Sequence, residues 1–396
     1  MMQISPETQL FIREHSSDDV RVLALQAKKY PDIDMPTAIT QIAGRKVAAE
    51  KIPSWWEIEK IWYPKHLSLE QCSSEITARY KARLSQGDSL TDLTGGFGID
   101  CSFLATGFKS ATYVERQEEL CEIAAHNFPI LNLNHINVRN EDGVAYLQTM
   151  SPVDCIFLDP ARRNEHGGKT VSIADCEPNV AELEDLLLSK ASRIMIKLSP
   201  MLDLSLALKE LKHTQEVHIL SVNNECKELL ILLGQTSPAE ITIHCVNLFT
   251  KGTQEEQHFV FTREQEQRSQ CTYTDSLGDY LYEPNASLLK AGAFRSIAAA
   301  YPVRKLHPNS HLYTSDTFIE NFPGRIFRIV NQCSFNKKEV KENLADLKKA
   351  NVTVRNFPAT VAELRKRLHL TEGGDTYLFA STLNNGQKVI IRCEKV

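Results

Sequence analysis

Apolar residues in the first 85 positions recur at spacings of three and four, a pattern typical of amphipathic helices. This periodicity predicts helices over residues 6–13, 18–28 and 37–51. Ser68 and Gln71 have the spacing of a capping box, which predicts another helix that runs through Leu84. We therefore expect residues 1–85 to form a helical subdomain.

The pattern changes near residue 88, where short apolar runs begin to alternate with helical stretches. Strands are predicted over residues 89–94, 111–115, 136–140, 153–159, 193–199, 217–222 and 228–234. Strands that alternate with helices predict a mostly parallel sheet covered on both faces. The last two strands are close in sequence, which favours an antiparallel hairpin at the edge of the sheet. Residues 86–235 are thus expected to form one α/β domain.

Two smaller α+β domains are predicted after this sheet. Residues 236–325 contain two runs typical of paired strands, EITIHCVNL and HFVFTR, and a helical stretch over 285–301. Residues 326–396 again alternate strands and helices. Asn385-Gly386 lies there between two apolar runs, which is typical of a tight β-hairpin turn.

Composition is that of an ordinary globular protein. The 396 residues are 42% hydrophobic and 24% charged, and no run of about 18 apolar residues occurs. The N-terminal sequence MMQISPETQL has neither the basic region nor the apolar core of a secretory signal. The ten cysteines follow no disulfide spacing. We therefore expect reduced thiols in a cytoplasmic protein without a membrane segment.

Charge is distributed unevenly along the chain. Residues 326–396 contain 13 Lys+Arg and 7 Asp+Glu, whereas residues 1–325 contain 32 and 43. A basic C-terminal segment beside an acidic body is compatible with an anionic partner held at one end. A lysine-rich, solvated helix surface is the alternative explanation.

The strongest chemical motif is TDLTGGFGID, residues 91–100, which follows an apolar strand and precedes a helix. Its three glycines permit a tight turn and a close approach of a ligand to the backbone. Ligands of open parallel sheets bind at the carboxyl ends of the strands, where this turn falls. A structural strand–turn–helix connection explains the glycines as well. The candidate ligand contacts in the turn are Asp92, Thr94, Gly95, Gly96 and Gly98.

Acidic residues follow the next three strands. Glu115 comes about 20 positions after the glycine turn, which suits hydrogen bonding to ribose hydroxyls. Asp142, followed by Gly143, comes after the third strand, where an acid can hold an adenine amino group. The fourth strand ends in the run DPARR, which contains Asp159 and Arg162. Each feature is common by itself, but the ordered set is not.

The runs DLTGGFGID, YVE, NEDG and DPARR together resemble the motifs of class I S-adenosylmethionine-dependent methyltransferases, over roughly residues 70–235. The resemblance implies a Rossmann-like domain that binds S-adenosylmethionine. It implies that Asp92 and the glycine turn face the methionine part of this cofactor. Glu115 would then face the ribose, Asp142 the adenine, and the loop at Asp159 would border the methyl group.

The run DPARR is closer to the Asp-Pro-Pro-Arg form of some RNA base methyltransferases than to the forms that carry an aromatic residue at the fourth position. Asp159 is then the candidate to orient the target or accept a proton, with Arg162 as its catalytic neighbour. Arg162 and Arg163 are candidates to hold a phosphate beside the cavity.

The C-terminal runs RNFP, LRKRLHL and EGGDTYLFAST resemble the THUMP-like module attached to some bacterial methyltransferases, over about residues 326–396. THUMP domains as a family are linked to RNA, chiefly tRNA. In familiar THUMP enzymes this domain precedes the catalytic domain, whereas here the similar module follows it. We also expect the domain before it, residues 236–325, to be ferredoxin-like.

These observations favour a methyltransferase that uses S-adenosylmethionine to methylate a base in structured RNA, tRNA or rRNA. Three alternatives stay open: a methyltransferase of a protein or small molecule, a catalytically silent RNA-binding scaffold, and a nicotinamide-dependent oxidoreductase. The last is disfavoured because the glycines do not follow G-x-G-x-x-G.

Other chemistries have little support in the sequence. The 12 histidines form no HExxH run, and none accompanies a Cys-x-x-Cys pair, so we expect no metal site. Cys72 and Cys226 are possible nucleophiles for C5 methylation of a pyrimidine, but neither lies in a recognisable motif.

Overall fold

The computed structural model describes residues 4–162, 172–253 and 256–396. The chain forms two compact units. The first unit comprises Met1–Gln215 and Leu229–Pro238, and the second comprises Glu216–Glu228 and Ala239–Val396.

Helices make up the N-terminal part of the first unit. They are α1 (Pro6–Glu14), α2 (Val20–Leu25), α3 (Met35–Lys51), α4 (Pro53–Trp56), α5 (His66–Gln71) and α6 (Glu75–Arg83). The longest helix, α3, begins where the Asp34 side chain accepts a hydrogen bond from the Thr37 amide. Its residues Ala38 and Ile42 are fully buried and pack with Phe11 of α1.

The single helix expected from Ser68 through Leu84 is instead two helices. Ser68 lies inside α5, and the chain leaves the helical conformation at Cys72 before α6 begins at Glu75. Ser73 lies between the two helices, and its hydroxyl donates a hydrogen bond to the Asp100 carboxylate at 2.8 Å. The capping-box spacing therefore misplaced the start of the helix, because a buried tertiary contact at Ser73 interrupts it.

The α/β part of the first unit contains a mostly parallel sheet. Its strands are β1 (Gly87–Asp92), β2 (Phe108–Glu115), β3 (Ile136–Asn140), β4 (Val153–Leu158), β7 (Ala191–Leu198) and β9 (Glu225–Gly234). Their order in the sheet is β9-β7-β4-β1-β2-β3. All neighbours are parallel except β7 and β9. The carboxyl ends of the parallel strands therefore lie along one edge of the sheet.

Helices connect these strands and cover the sheet. They are α7 (Ile99–Leu104), α8 (Glu118–Ile130), α9 (Gly143–Thr149), α10 (Val180–Lys190) and α11 (Leu204–Glu210). Two very short strands, β5 (Ala161–Arg162) and β6 (Cys176–Glu177), pair antiparallel after β4. Leu90, Phe157 and Met195 from three adjacent strands pack in one core with Leu104 of α7. This architecture confirms the predicted α/β fold class.

The second unit begins with three strands that the sequence assigned to two different domains. They are β8 (Thr214–Val222), β10 (Thr242–Leu248) and β11 (Glu256–Thr262). β10 pairs in parallel with β8 and antiparallel with β11, so β11 and not β8 is the edge strand. The strands expected over 217–222 and 228–234 are therefore not at the edge of the sheet, so that prediction was wrong in position. The edge is formed by β10 and β11, whose pairing with each other the sequence predicted.

The rest of the second unit contains a seven-stranded sheet. Its strands are β12 (Tyr280–Pro284), β13 (Arg304–Lys305), β14 (Tyr313–Ser315), β15 (Gly324–Ser334), β16 (Asn351–Val354), β17 (Thr376–Thr382) and β18 (Lys388–Lys395). Their order is β13-β14-β12-β15-β18-β17-β16. The helices are α12 (Arg263–Arg268), α13 (Ala286–Ala291), α14 (Ser296–Ala300), α15 (Lys337–Leu344) and α16 (Val361–Leu368). Only β16 and β17 pair in parallel.

Two local features of the second unit follow from its residues. The helix expected over 285–301 is divided, because Gly292 adopts the left-handed conformation that ends α13 (φ +77°). The capping box at Thr360 and Glu363 forms as expected and begins α16. Gly386, at φ +87°, makes the tight turn between β17 and β18.

Two chain-wide observations complete the fold. The ten cysteines all lie in the described part of the chain, and none of them forms a disulfide. Among the described residues, every helix is too short or too polar to span a lipid bilayer.

Asn127 of α8 provides a direct test of how the N-terminal helical part is attached within the first unit. Its fully buried amide group accepts a hydrogen bond from the Trp62 backbone N–H and donates one to the Trp62 carbonyl, both at 2.9 Å. Asn127→Ala should lower the free energy of unfolding by about 1–3 kcal/mol, because it leaves two partly buried backbone groups of Trp62 unpaired. Denaturant unfolding measures this loss. The exposed Asn137→Ala variant on β3 serves as the control and should change stability by less than about 0.5 kcal/mol. Equal losses in the two variants would contradict the assignment.

Candidate functional site

The turn after β1 is built tightly enough to require glycine. The Gly95 amide donates to the Val114 carbonyl at 2.9 Å, which brings the turn against the end of β2. A Cβ atom on Gly95 would lie 2.2 Å from the ring of Tyr113. Gly96 and Gly98 adopt positive φ angles of +55° and +86°. The sequence motif therefore forms a compact backbone cradle.

Glu115, at the end of β2, holds this cradle in place. One carboxylate oxygen accepts a hydrogen bond from the Gly96 amide at 2.9 Å, and the other accepts one from the Gln117 amide at 2.8 Å. The side chain is buried. Each carboxylate oxygen has a second lone pair, so the group can still accept hydrogen bonds from a ligand.

Asp142 and Gly143 bring the end of β3 to the same place. Asp142 caps α9, since its carboxylate accepts hydrogen bonds from the Val144 and Ala145 amides at 3.0 Å. A Cβ atom on Gly143 would lie 2.1 Å from the Leu93 carbonyl oxygen. Gly143 is therefore required for close packing of the α9 start against the chain after β1.

Asp92 carries the most unusual electrostatics of the site. One carboxylate oxygen accepts a hydrogen bond from the Thr94 amide at 3.0 Å. The other is buried and has no hydrogen-bond partner among the described residues. Burial raises the pKa of Asp92 well above its usual value, and the nearby Asp100 and Asp159 raise this pKa further. Lys197 lowers this pKa only in part, so a cationic ligand group beside Asp92 would favour the ionised form of the carboxylate.

A buried ion cluster lies directly beside Asp92. The Lys81 and Lys197 ammonium groups each lie 3.0 Å from the Asp100 carboxylate. Both also lie within 3.0 Å of the Ser73 hydroxyl. Burial alone would raise the pKa of Asp100, but the two lysines outweigh it and hold this pKa below its usual range. Asp100 is thus ionised and matched by lysine charge.

Lys197 extends this cluster to Asp159 at the end of β4. Its ammonium group lies 2.7 Å from the Asp159 carboxylate, whose side chain is 38% exposed. The Asp159 amide donates to the Thr94 hydroxyl at 2.6 Å, which ties the end of β4 to the glycine turn. Arg162 lies in β5, and its side chain is outside the described part of the structure. Arg163 also lies outside the described residues.

The predicted residues meet around one cavity of about 490 Å³, a size typical of cofactor sites. The cavity is lined by all the residues proposed for the cofactor and by Asp159, namely Asp92, Thr94, Gly95, Gly96, Gly98, Glu115, Asp142, Gly143 and Asp159. Lys197 also lines it, and the sequence analysis missed this residue. Its signal was a lysine inside the apolar run RIMIKLS, at the end of a buried strand.

The two thiols considered as nucleophiles lie in unfavourable surroundings. Cys72 lines the cavity, but burial raises the pKa of its thiol to about 11. Burial likewise raises the pKa of the Cys226 thiol to about 11. A thiol with such a pKa is almost entirely protonated at neutral pH, so neither residue is suited to nucleophilic attack.

Comparisons with known proteins agree with this description. The crystal structure of a "putative methyltransferase from Porphyromonas gingivalis W83" matches with a TM-score of 0.88 and 35% identity, over 100% of both chains. An rRNA methylase from Streptococcus thermophilus matches 40% of this chain and 94% of its own, at 13% identity and a TM-score of 0.30. A "putative methyltransferase" from Streptococcus mutans in complex with SAH matches 40% of this chain and 96% of its own, at 12% identity and a TM-score of 0.30. The last two similarities are too low to support an argument.

Family models match the C-terminal part of the second unit. A ferredoxin-like domain matches residues 280–323, and a THUMP domain-like family matches residues 324–395. No curated protein matches the chain. The full-length similarity to the Porphyromonas gingivalis protein confirms the family resemblance found in the sequence. The chain therefore belongs to the class I methyltransferase family with a C-terminal THUMP-like domain.

Proposed function

We propose that the chain is an S-adenosylmethionine-dependent methyltransferase that modifies a base in structured RNA, tRNA or rRNA. The observation that carries the cofactor assignment is the buried carboxylate oxygen of Asp92 in the cavity at the strand ends, which no described residue contacts by a hydrogen bond. S-Adenosylmethionine carries an ammonium and a sulfonium group, and both are cations. A buried carboxylate with one oxygen that no described residue contacts by a hydrogen bond favours such a ligand.

The same charge argues against a nicotinamide dinucleotide. The pyrophosphate of that cofactor is anionic and binds where backbone amides and a helix N-terminus face it without a competing acid. Here Asp92 and Glu115 both line the cavity at the glycine turn. The Gly96 amide already donates a hydrogen bond to Glu115 and is not available to a phosphate. An anionic ligand group at this turn would meet repulsion rather than free donors.

Each side chain then has a defined role toward the cofactor. Asp92 accepts from the ammonium group, Glu115 from the ribose hydroxyls, and Asp142 from the adenine amino group. The bound cofactor supplies a methyl group on a sulfonium, which is already activated for transfer. The protein contributes mainly alignment. Asp159, exposed in part and fixed by Lys197, orients the target base and accepts a hydrogen bond or proton from it.

Two observations support RNA as the substrate. The C-terminal segment 326–396 is basic, with 13 Lys+Arg and 7 Asp+Glu, and it coincides with the THUMP domain-like match. Its helix α15 presents exposed Lys337, Lys338 and Lys341, which can contact phosphates. We propose that this module binds RNA and that the enzyme works in the cytoplasm. The target base must be extruded or lie in a loop to enter the cavity.

A methyl-transfer assay tests the whole proposal. The full-length protein is incubated with methyl-tritiated S-adenosylmethionine and, separately, with total RNA from cells that lack its gene, total protein from those cells, and a metabolite extract. Tritium should enter the RNA fraction and map to one base after nuclease digestion. Incorporation only into protein or small molecules would replace the substrate assignment, and no incorporation into any fraction would contradict enzymatic function.

The Asp92→Asn variant distinguishes the role of this side chain in cofactor binding from its effect on the stability of the fold. The amide keeps the hydrogen bond from Thr94 but removes the charge that pairs with the cofactor, so affinity for S-adenosylmethionine should fall about tenfold to hundredfold. The same substitution removes a buried unpaired carboxylate, and stability should rise by about 0.5–2 kcal/mol. Calorimetric titration and thermal unfolding measure the two effects. Asp185→Asn, an exposed acid of α10, is the control and should leave both unchanged. A destabilised Asp92→Asn protein would contradict the assignment of Asp92.

Lys197→Met tests the ion cluster. It leaves Asp100 and Asp159 without the cation that they share, and the free energy of unfolding should fall by about 3–5 kcal/mol.

The Asp159→Asn variant removes only the partly exposed end of the cluster. It should lower the free energy of unfolding by less than about 1 kcal/mol while lowering kcat. Unfolding curves and single-turnover rates report the two properties. Lys209→Met, an exposed lysine on α11, controls for the loss of a lysine. Normal turnover by Asp159→Asn would remove Asp159 from catalysis.

A triple variant tests the RNA-binding role of the C-terminal module. Replacement of Lys337, Lys338 and Lys341 by Gln should weaken RNA binding and lower the salt dependence of log K by about two to three, because fewer counterions are released. Fluorescence anisotropy at several salt concentrations measures both. The matched control replaces three exposed lysines of the first unit, Lys28, Lys29 and Lys60, by Gln. Equal effects of the two triple variants would show that binding is not specific to the module.

A further inference from the structure

A cluster of three histidines and one glutamate lies on the strands that begin the second unit. Glu216 and His218 are two residues apart on β8 and therefore project from the same face. His218 lies opposite His244 in the parallel pairing of β8 with β10. His258 on β11 is two residues from Val260, the partner of His244, and so projects from this face too. The four residues differ from those of the cavity at Asp92.

Their side chains are in direct contact. The imidazole rings of His218 and His244 stack with centroids 4.3 Å apart and planes 8° apart. One carboxylate oxygen of Glu216 lies 3.2 Å from Nε2 of His218. Nδ1 of His244 lies 3.2 Å from Nε2 of His258. One potential ligand atom from each of Glu216, His218 and His244 lies within 4.8 Å of the other two.

These distances are close to those of a tetrahedral metal site. Bonds of about 2.0–2.1 Å from a zinc ion to nitrogen and oxygen place neighbouring ligand atoms about 3.3 Å apart. The two contacts at 3.2 Å already have this spacing. The strand register brings the four residues to one face, so we expect side-chain rotation to shorten the remaining distances when an ion binds.

The cluster is accessible from one side of the sheet. His218 is buried, whereas His258 is exposed, so the cluster has a buried end and an open end. An ion can enter from the side of the edge strand β11.

We propose that Glu216, His218 and His244 form a binding site for a divalent transition-metal ion of the Zn²⁺ type, with His258 as the ligand on its open side. Imidazole and carboxylate ligands suit Zn²⁺ rather than Mg²⁺ or Ca²⁺, which prefer sites made of oxygen atoms. The ion would join β8, β10 and the edge strand β11, and so add to the stability of the second unit. The sequence analysis expected no metal because the histidines come from three strands and match no contiguous motif.

Metal titration of the full-length protein tests the proposal. The protein is treated with a chelator, desalted and titrated with Zn²⁺ against a chromophoric competitor, and then with Co²⁺ as a spectroscopic probe. One ion should bind per chain, and Co²⁺ should give the intense visible bands of a tetrahedral complex. The thermal midpoint should rise on addition of Zn²⁺.

Variants identify the ligands. His218→Asn with His244→Asn should weaken Zn²⁺ binding by more than about 100-fold, since loss of outer partners alone costs about 10- to 100-fold. His258→Ala, at an exposed position, keeps the test valid if the double variant does not fold, and should weaken binding and change the Co²⁺ spectrum. The control is His66→Asn, because His66 lies 3.6 Å from Glu70 on a helix surface without further histidines. A wild-type protein that binds Zn²⁺ no more tightly than the double variant, or than His258→Ala, would overturn the proposal.

Discussion

The carboxylate of Asp100 is the group around which the first unit is organised. Asp100 lies in the first turn of α7, directly after the glycine turn, and its carboxylate is buried between a lysine of α6 and a lysine of β7. A buried carboxylate is tolerated only when its charge is matched. Ser73 and Lys197 donate hydrogen bonds to one oxygen of Asp100, and the Lys81 ammonium group lies 3.0 Å from the other. Because these partners come from separate elements, the cluster fixes the helix before the sheet, the glycine turn and the end of β7 at one place.

The cluster also explains why Asp92 has no ion-pair partner among the described residues. The ammonium groups of Lys81 and Lys197 both contact Asp100, and Lys197 also contacts Asp159. Lys197 acts on Asp92 only from a distance, and one Asp92 oxygen has no hydrogen-bond partner among the described residues. Under the proposed function, a cationic cofactor group would stabilise the ionised form of this acid on binding. Lys197 also holds the partly exposed Asp159 carboxylate at the cavity, the place proposed for the target base.

Much of the first unit could be predicted from the sequence, because its signals are local. Apolar runs bounded by turns predicted the strands β1, β2, β3, β4 and β7 but not the two-residue strands β5 and β6, and glycines and acids at the strand ends indicated the cavity. Residues that act through long-range contacts were not predictable in this way. Ser73 interrupts a helix that its neighbours favour. Lys81 and Lys197 meet only in the folded chain, and β10 pairs with β8 although β9 lies between them along the chain. The cluster of His218, His244 and His258 could not be predicted for the same reason, because its members come from three different strands.

The most direct test of this account is the pH dependence of cofactor binding. If Asp92 has a raised pKa and pairs with a cation, binding requires its ionised form. Affinity for S-adenosylmethionine, titrated by calorimetry from about pH 5 upward, should then increase with pH through the raised pKa of Asp92 and level off above it. The Asp92→Asn protein should show no such increase. Tight binding with the same pH profile in both proteins, or binding of NADH in preference to S-adenosylmethionine, would contradict the account.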